Sequence, residues 1–121
     1  MVKARQTFDR PRVGDLDTAL SQMLKIGGYL SEIRPGQRVA VTAGSRGITD
    51  IALALKIVVR EIRNAGGDPF LFPAMGSHGG ATAEGQTHIL HNLGITEDFV
   101  GAPILASMDT VQIGTSEKGH P

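Results

Sequence analysis

A histidine in a glycine-rich loop is the residue of this sequence best suited to chemistry. His78 stands in the hexapeptide MGSHGG, with Gly76, Gly79 and Gly80 beside it. An imidazole has an unperturbed pKa of about 6.5, so it can give or take a proton near neutral pH. Glycines carry no side chain and leave a ligand hydroxyl free to approach the ring. The pattern indicates an acid/base residue; the alternative is a histidine that caps a helix or faces solvent.

A second glycine-rich loop carries a cation. Gly44, Ser45, Arg46 and Gly47 follow a strand pattern and precede a helix pattern. Helix N-termini offer free N–H groups to anions, and a guanidinium can hold a carboxylate or phosphate through two parallel hydrogen bonds. These residues predict an anion-binding loop; the alternative is a solvated turn in which Arg46 pairs with a surface acid. Neither glycine-rich loop has the pattern of a P-loop or of a dinucleotide-binding fingerprint.

Both loops fall at the ends of predicted strands. Strands are predicted at residues 38–43 and 69–75, each followed by a glycine-rich loop and a helix, and Thr82 is the expected N-cap of the later helix. The segments APILASM and TVQIGT are predicted to be further strands. This alternation favours an α/β fold with an open, mainly parallel sheet flanked by helices, built from Rossmann-like strand-loop-helix repeats. If the first two strands are neighbours, both loops face one crevice.

Helical periodicity is clearest between the two loops. Before the first strand, an earlier helix is predicted from Leu16, with a weak point at Gly27. The charged residues of the helix between the loops, Glu61 among them, are predicted to lie outside its apolar stripe, and Met23 and Met75 are predicted to fill the core. The stripe consists of Ile48, Ile51, Ala52, Leu55, Val58, Val59 and Ile62.

Composition excludes several classes of protein. The 121 residues, 40% hydrophobic and 20% charged, fit one domain, here 14–121, preceded by a polar arm at 1–13. Twelve basic and twelve acidic side chains cancel, which argues against nucleic acid and anionic membranes as partners. Cysteine is absent, so thiolate catalysis and disulfides are excluded. Without a signal peptide or an apolar run of about 18 residues, a cytoplasmic protein is expected.

Histidines outside the loops do not predict a metal site. His88 and His91 are three residues apart on a predicted helix, close enough to share a metal ion. No carboxylate or further histidine follows at an obvious ligand spacing, so a solvated or half-buried helix face is the preferred interpretation.

Three segments together resemble a known family. VAVTAGSRGI, then FPAMGSHGGATAEGQ, then LGITEDFVGAPI look like the N-terminal domain of the nickel-dependent lactate racemase family, in its broad uncharacterised branch. The resemblance implies an open α/β first domain facing a second domain across the active-site cleft. It also implies an isomerase in which a nickel pincer mononucleotide takes hydride from a 2-hydroxy acid and returns it to either face.

The resemblance implies specific roles for the two loops. His78 matches one of the family's two acid/base histidines, and Arg46 its anion-binding arginine. Gly44, Ser45, Gly76, Ser77 and Gly79 are then expected to bind substrate or cofactor. Ala43 stands where the family has aspartate, and Gly79 where it has arginine, so the resemblance leaves the substrate open among small 2-hydroxy acids and other small anions.

The family's remaining catalytic residues have no counterpart in this sequence. Its pincer-holding lysine, second acid/base histidine and nickel-binding histidine lie downstream of the matched region. The chain is therefore expected to be the first part of a longer racemase or epimerase, inactive alone, without a metal site or a tightly bound cofactor of its own. The alternative function is a non-catalytic α/β module that binds phosphate or carboxylate with the same loops.

Overall fold

Two parallel strands, β1 (Arg38–Ala43) and β2 (Asp68–Pro73), position both glycine-rich loops. They belong to a computed structural model that describes residues 3–9 and 11–119. The strands pair in register, from Arg38 opposite Asp68 to Ala43 opposite Pro73. Their carboxyl ends therefore lie side by side, at the same edge of the sheet.

Helices make up most of the remaining regular structure. They are α1 (Leu16–Ile26), α2 (Ile51–Asn64), α3 (Ala83–Asn92) and the single turn α4 (Glu97–Val100), with a 3₁₀ turn at His78–Ala81. The chain is therefore mixed α/β. Within the residues that the structure describes, no helix has the length and apolar character needed to cross a bilayer.

Capping residues set the ends of the predicted helices. At the start of α1, Asp15 accepts a hydrogen bond of 3.2 Å from the backbone N–H of Thr18, and the helix stops before Gly27. Thr82 caps α3 as predicted, because its hydroxyl accepts a 3.0 Å hydrogen bond from the N–H of Gly85. Each cap satisfies a backbone donor that has no partner within its helix.

The core lies against one face of the sheet. Leu71 of β2 is fully buried, and it belongs to one cluster with Leu55 and Val59 of α2 and Leu90 of α3. The opposite face is more open, since Phe72 is 40% exposed. Parallel sheets are usually covered on both faces, whereas the described residues bury one face of this sheet more fully than the other.

The predicted wider sheet is not found in the part of the chain that the structure describes. The segment APILASM makes two backbone hydrogen bonds with Leu71 of β2. The N–H of Leu71 donates to the carbonyl of Pro103 at 2.8 Å, and the N–H of Leu105 donates to the carbonyl of Leu71 at 2.9 Å. These bonds make one parallel bridge, Leu71 to Ile104, and TVQIGT forms no strand. Alternating side chains favour an extended backbone, but a strand also needs a neighbour for its N–H and C=O groups.

Three core assignments made from periodicity are wrong. Ile48 lies before the first turn of α2 and is 64% exposed. Glu61, expected outside the apolar stripe, is buried, whereas Met23 of α1 is 67% exposed. Met75 is buried as predicted. Periodicity identifies the face of a helix but not the polar partners that can accompany a charge into the interior.

The polar arm contains no helix or strand in its described part. Residues 3–9 and 11–13 are exposed, and residues 11–13 border a surface cleft together with Thr49 and Asp50. The predicted arm includes positions 1, 2 and 10, and the predicted domain includes positions 120 and 121, which lie outside the described residues.

Candidate functional site

The two glycine-rich loops meet beyond the carboxyl ends of β1 and β2. The backbone N–H of Ala74 donates a 2.8 Å hydrogen bond to the carbonyl of Ala43, so the strands stay paired to the point where both loops begin. The parallel order of the strands then places residues 44–50 beside residues 74–81. This is the crevice predicted from the neighbouring strands.

A short hydrogen bond joins the loops. Ser45 Oγ and His78 Nδ1 lie 2.6 Å apart, although the residues are 33 positions apart in sequence. The serine hydroxyl can donate to Nδ1 of one imidazole tautomer or accept from Nδ1–H of the other. It therefore fixes the position of the ring in either protonation pattern and leaves Nε2 as the nitrogen available to a ligand. No described residue forms a hydrogen bond or ion pair with Nε2.

The cleft around this pair has a volume of about 420 Å³. Arg46 lines it, is exposed, and makes no hydrogen bond or ion pair with any described residue. The N–H groups of Ser45, Arg46 and Gly47 likewise have no hydrogen-bond acceptor in the described part of the chain. A guanidinium and a run of free N–H groups are both donors that an anion can accept from. The lining residues are Gly44, Ser45, Arg46, Ile48, Ile51, Ala74, Met75 and His78.

A second set of contacts holds the histidine loop against α3. Gly79 has a φ of +64°, and a Cβ at this position would lie 2.5 Å from the carbonyl carbon of Gly85. A Cβ on Gly85 would in turn overlap the carbonyl oxygen of Gly79. Both positions therefore require glycine, because the loop and the first turn of α3 touch through their backbones.

Buried Gln86 also supports this loop and was missed by sequence reasoning. Its side-chain amide donates a 2.8 Å hydrogen bond to the carbonyl of Gly76, and the residue is only 5% exposed. A glutamine among the polar residues of a helix gives no sign in sequence that it faces inward. The sequence shows only that Gln86 lies four residues after Thr82, the N-cap of α3.

The predicted site residues divide into two groups. Gly44, Ser45, Arg46 and His78 line the cleft together. The other three do not line it: Gly76 borders a neighbouring cavity of about 340 Å³, Ser77 is exposed, and Gly79 packs on α3. These three residues shape the histidine loop.

The helix histidines are apart from the cleft. His88 is exposed, and His91 Nε2 lies 3.4 Å from Glu97 Oε2 at the far end of α3. Across the described residues, no three histidine, cysteine or acidic side chains come together in a way that could hold a metal ion.

Sequence reasoning also missed a charged cluster between α1 and α2. Arg60 binds both carboxylate oxygens of Asp17, at 2.6 and 2.7 Å, and donates to buried Glu61 at 2.9 and 3.1 Å. Ser21 completes the contacts by donating to Glu61 at 3.1 Å. The hydrogen bonds that Arg60 donates lower the pKa of both carboxyl groups, and the same hydrogen bonds raise the pKa of Arg60. The cluster joins two helices through charge-assisted hydrogen bonds.

A further cavity, of about 380 Å³, lies between α2 and α4. Lys56 and Arg63 line it, and Lys56 Nζ lies 4.7 Å from the ring centre of Phe99. Its lining residues include no histidine, serine, threonine or cysteine, whereas the cleft between the two glycine-rich loops pairs a histidine with a serine hydroxyl.

Comparison of the chain with family models, with curated proteins and with solved structures gave no match.

Proposed function

We propose that the two-loop cleft binds a small 2-hydroxy acid and that His78 exchanges a proton with its hydroxyl group, as one half of a racemase or epimerase. The observation that carries this proposal is the 2.6 Å contact between Ser45 and His78 in the cleft that Arg46 also lines. An acid/base group and an anion-binding group are the two functions that a hydroxy acid requires at adjacent positions.

Each residue has a separate task in this mechanism. Arg46 binds the substrate carboxylate through two parallel hydrogen bonds and so orients the neighbouring hydroxyl. His78 accepts the hydroxyl proton at Nε2, or returns it there. Ser45 is a positioning residue, because its hydroxyl accepts a hydrogen bond from Nδ1–H, which is present both when Nε2 is the base and after Nε2 has taken the proton.

A nickel pincer nucleotide, expected from the family resemblance, does not fit the described residues as a metal site. The cleft contains one imidazole, one guanidinium and a hydroxyl, and the sequence has no cysteine. Imidazole nitrogens suit nickel, and a single imidazole is too few to make a metal site. In this proposal, hydride chemistry and the second acid/base group come from a further domain, and this chain supplies the carboxylate-binding site and one proton-transfer group.

The same proposal includes a wider parallel sheet. The bridge from Leu71 to Ile104 continues the order of β1 and β2, with a third backbone segment beside β2. We interpret this bridge as the start of a third strand in an open, Rossmann-like sheet.

An alternative function, a passive anion-binding module, has support of its own. Arg46 and the unpaired N–H groups of Ser45 and Gly47 could hold a carboxylate or phosphate with no contribution from His78. The two functions differ in whether the ligand hydroxyl matters.

An NMR titration of the ¹⁵N-labelled chain with lactate and with propionate, which lacks the hydroxyl, separates them. Under the acid/base proposal, lactate should bind about 3- to 10-fold more tightly than propionate, because its hydroxyl adds one hydrogen bond with His78. His78→Gln should change this ratio, while His88→Gln, on the exposed face of α3, should preserve it. Equal affinities for lactate and propionate in the wild-type chain would favour the passive module. No binding of either would contradict the acid/base proposal, and no binding of inorganic phosphate as well would contradict the passive module.

A further inference from the structure

We infer that Ser45 is a nucleophile and that the two-loop cleft can transfer an acyl group from a small ester that carries a carboxylate or phosphate. This activity goes beyond the proton exchange proposed above and does not depend on a hydroxy acid. The geometry that points to it is the 2.6 Å contact between Ser45 Oγ and His78 Nδ1. A serine hydroxyl is a weak nucleophile unless a base within hydrogen-bond distance can take its proton.

The position of Ser45 in the fold suits a nucleophile. It stands two residues beyond the end of β1, between glycine and arginine, in the loop that leads to α2. Its side chain is half-buried and lines the cleft. A nucleophile in a tight turn after a strand is held rigidly by the sheet while its oxygen stays accessible.

Donors for a developing oxyanion are available beside the hydroxyl. The backbone N–H groups of Arg46 and Gly47 have no acceptor among the described residues. The N–H of the residue after the nucleophile is a common element of an oxyanion hole. Preorganised donors of this kind stabilise the negative charge that forms on the carbonyl oxygen during attack. The Arg46 guanidinium adds selectivity for acyl groups that carry a negatively charged carboxylate or phosphate.

The reaction balances with water as the only co-reactant. The Ser45 oxygen forms a bond to the carbonyl carbon of the ester, and its proton moves to His78 Nδ1. When the tetrahedral intermediate collapses, the bond to the ester oxygen breaks and the leaving alcohol takes that proton. Water then attacks the carbonyl carbon of the acyl-serine ester and loses a proton to His78. The bond from that carbon to the Ser45 oxygen breaks, His78 returns the proton to this oxygen, and the acid leaves.

A fluorophosphonate probe tests the inference on the intact chain. Attack by Ser45 forms a P–O bond and expels fluoride, which adds the phosphonyl group to the protein. Intact-mass spectrometry should show one addition, and peptide mapping should place it on Ser45. Ser45→Ala should abolish the addition, and His78→Gln should slow it by about 10²-fold or more. Thermal unfolding of each variant confirms that it is folded.

Two control variants test whether the labelling is specific to Ser45 and His78. Ser31→Ala removes an exposed serine whose hydroxyl donates to the carbonyl of Gly28, and His88→Gln removes an exposed histidine. Both should label at the wild-type rate. The inference is overturned if the wild-type chain takes up no probe, if Ser45→Ala labels as fast as wild type, or if His78→Gln leaves the rate unchanged. The outcome is independent of lactate binding, so it separates this activity from the proposed hydroxy-acid site.

Discussion

The side-chain amide of Gln86 donates a 2.8 Å hydrogen bond to the carbonyl oxygen of Gly76, which ties α3 to the loop that carries His78. The same amide nitrogen lies 3.5 Å from the carbonyl of His78 itself. Gln86 does not line the two-loop cleft. It therefore acts on the site through the loop, by holding the backbone that sets the position of the imidazole.

Replacing Gln86 with leucine tests this support. Gln86→Leu keeps a side chain of similar size in the buried position but removes the hydrogen bond to Gly76. The free energy of unfolding in urea should fall by about 0.5–1.5 kcal/mol, the net value of one hydrogen bond. Amide exchange at residues 76–81 should quicken more than exchange in β1. Gln112→Leu, at an exposed position, is the matched control. Equal exchange protection in Gln86→Leu and wild type would show that the amide does not support the loop.

The contact between Gly79 and Gly85 leads to a second prediction. Gly79→Ala places a residue with a side chain at a φ of +64° and brings its Cβ within 2.5 Å of the α3 backbone. We expect a loss of about 1–3 kcal/mol in unfolding free energy, because the loop or the helix must move. The backbone amide chemical shift of Ser45 should change as well, because its partner His78 lies in the loop that Gly79→Ala displaces. Gly114→Ala is the control, because no atom lies within 4 Å of the Cβ there. A Gly79→Ala variant as stable as the control would argue against the close packing of loop and helix.

The central strand-loop-helix units could be predicted from sequence because their signals are local. The spacing of apolar residues indicated β1 and α2, and Thr82 marked the start of α3. The meeting of the two loops also followed from the sequence, since parallel neighbouring strands end at one edge. Ser45 and His78 could therefore be expected in one crevice, although not at 2.6 Å.

What sequence could not predict depends on contacts between distant residues. The hydrogen bonds that make a buried position tolerable for Glu61 come from Ser21, on another helix 40 positions away, and from its neighbour Arg60. Whether TVQIGT becomes a strand depends on a pairing partner that the segment itself does not specify. The inward orientation of Gln86 likewise depends on the path of a separate loop.

The charged cluster between α1 and α2 leads to a prediction about acid stability. Arg60 holds the pKa of Glu61 below its ordinary value of 4.5 and that of Asp17 below 3.8. A carboxyl whose pKa is lower in the folded chain binds more protons when unfolded, so stability rises with pH in this range. The contribution of Glu61 to the free energy of unfolding is complete above about pH 4.5. It is lost as the pH falls through the lower pKa that Glu61 has in the folded chain.

Thermal unfolding measured as a function of pH checks this contribution. Glu61→Gln removes the titrating group while keeping its shape, so the melting temperature should fall less steeply below pH 4.5 than in wild type. Glu32→Gln changes an exposed carboxylate that has no ion pair with a described residue, and it should keep the wild-type slope. If both variants retain the slope of the wild-type curve, the cluster does not govern acid stability.

The Arg46 guanidinium is the proposed binding group for the substrate carboxylate. It lines the cleft beside Ser45 and has no acidic partner among the described residues, so it is available to a ligand carboxylate. Arg46→Lys keeps the positive charge but loses the planar fork that holds a carboxylate through two hydrogen bonds. Lactate affinity, measured by NMR titration of the whole chain, should weaken by about 1–3 kcal/mol. Arg34→Lys, in the exposed turn before β1, should bind lactate like wild type and controls for general charge effects. Unchanged affinity in Arg46→Lys would mean that the guanidinium does not hold the carboxylate as a fork, and the proposed orientation of the substrate hydroxyl toward His78 would then be wrong.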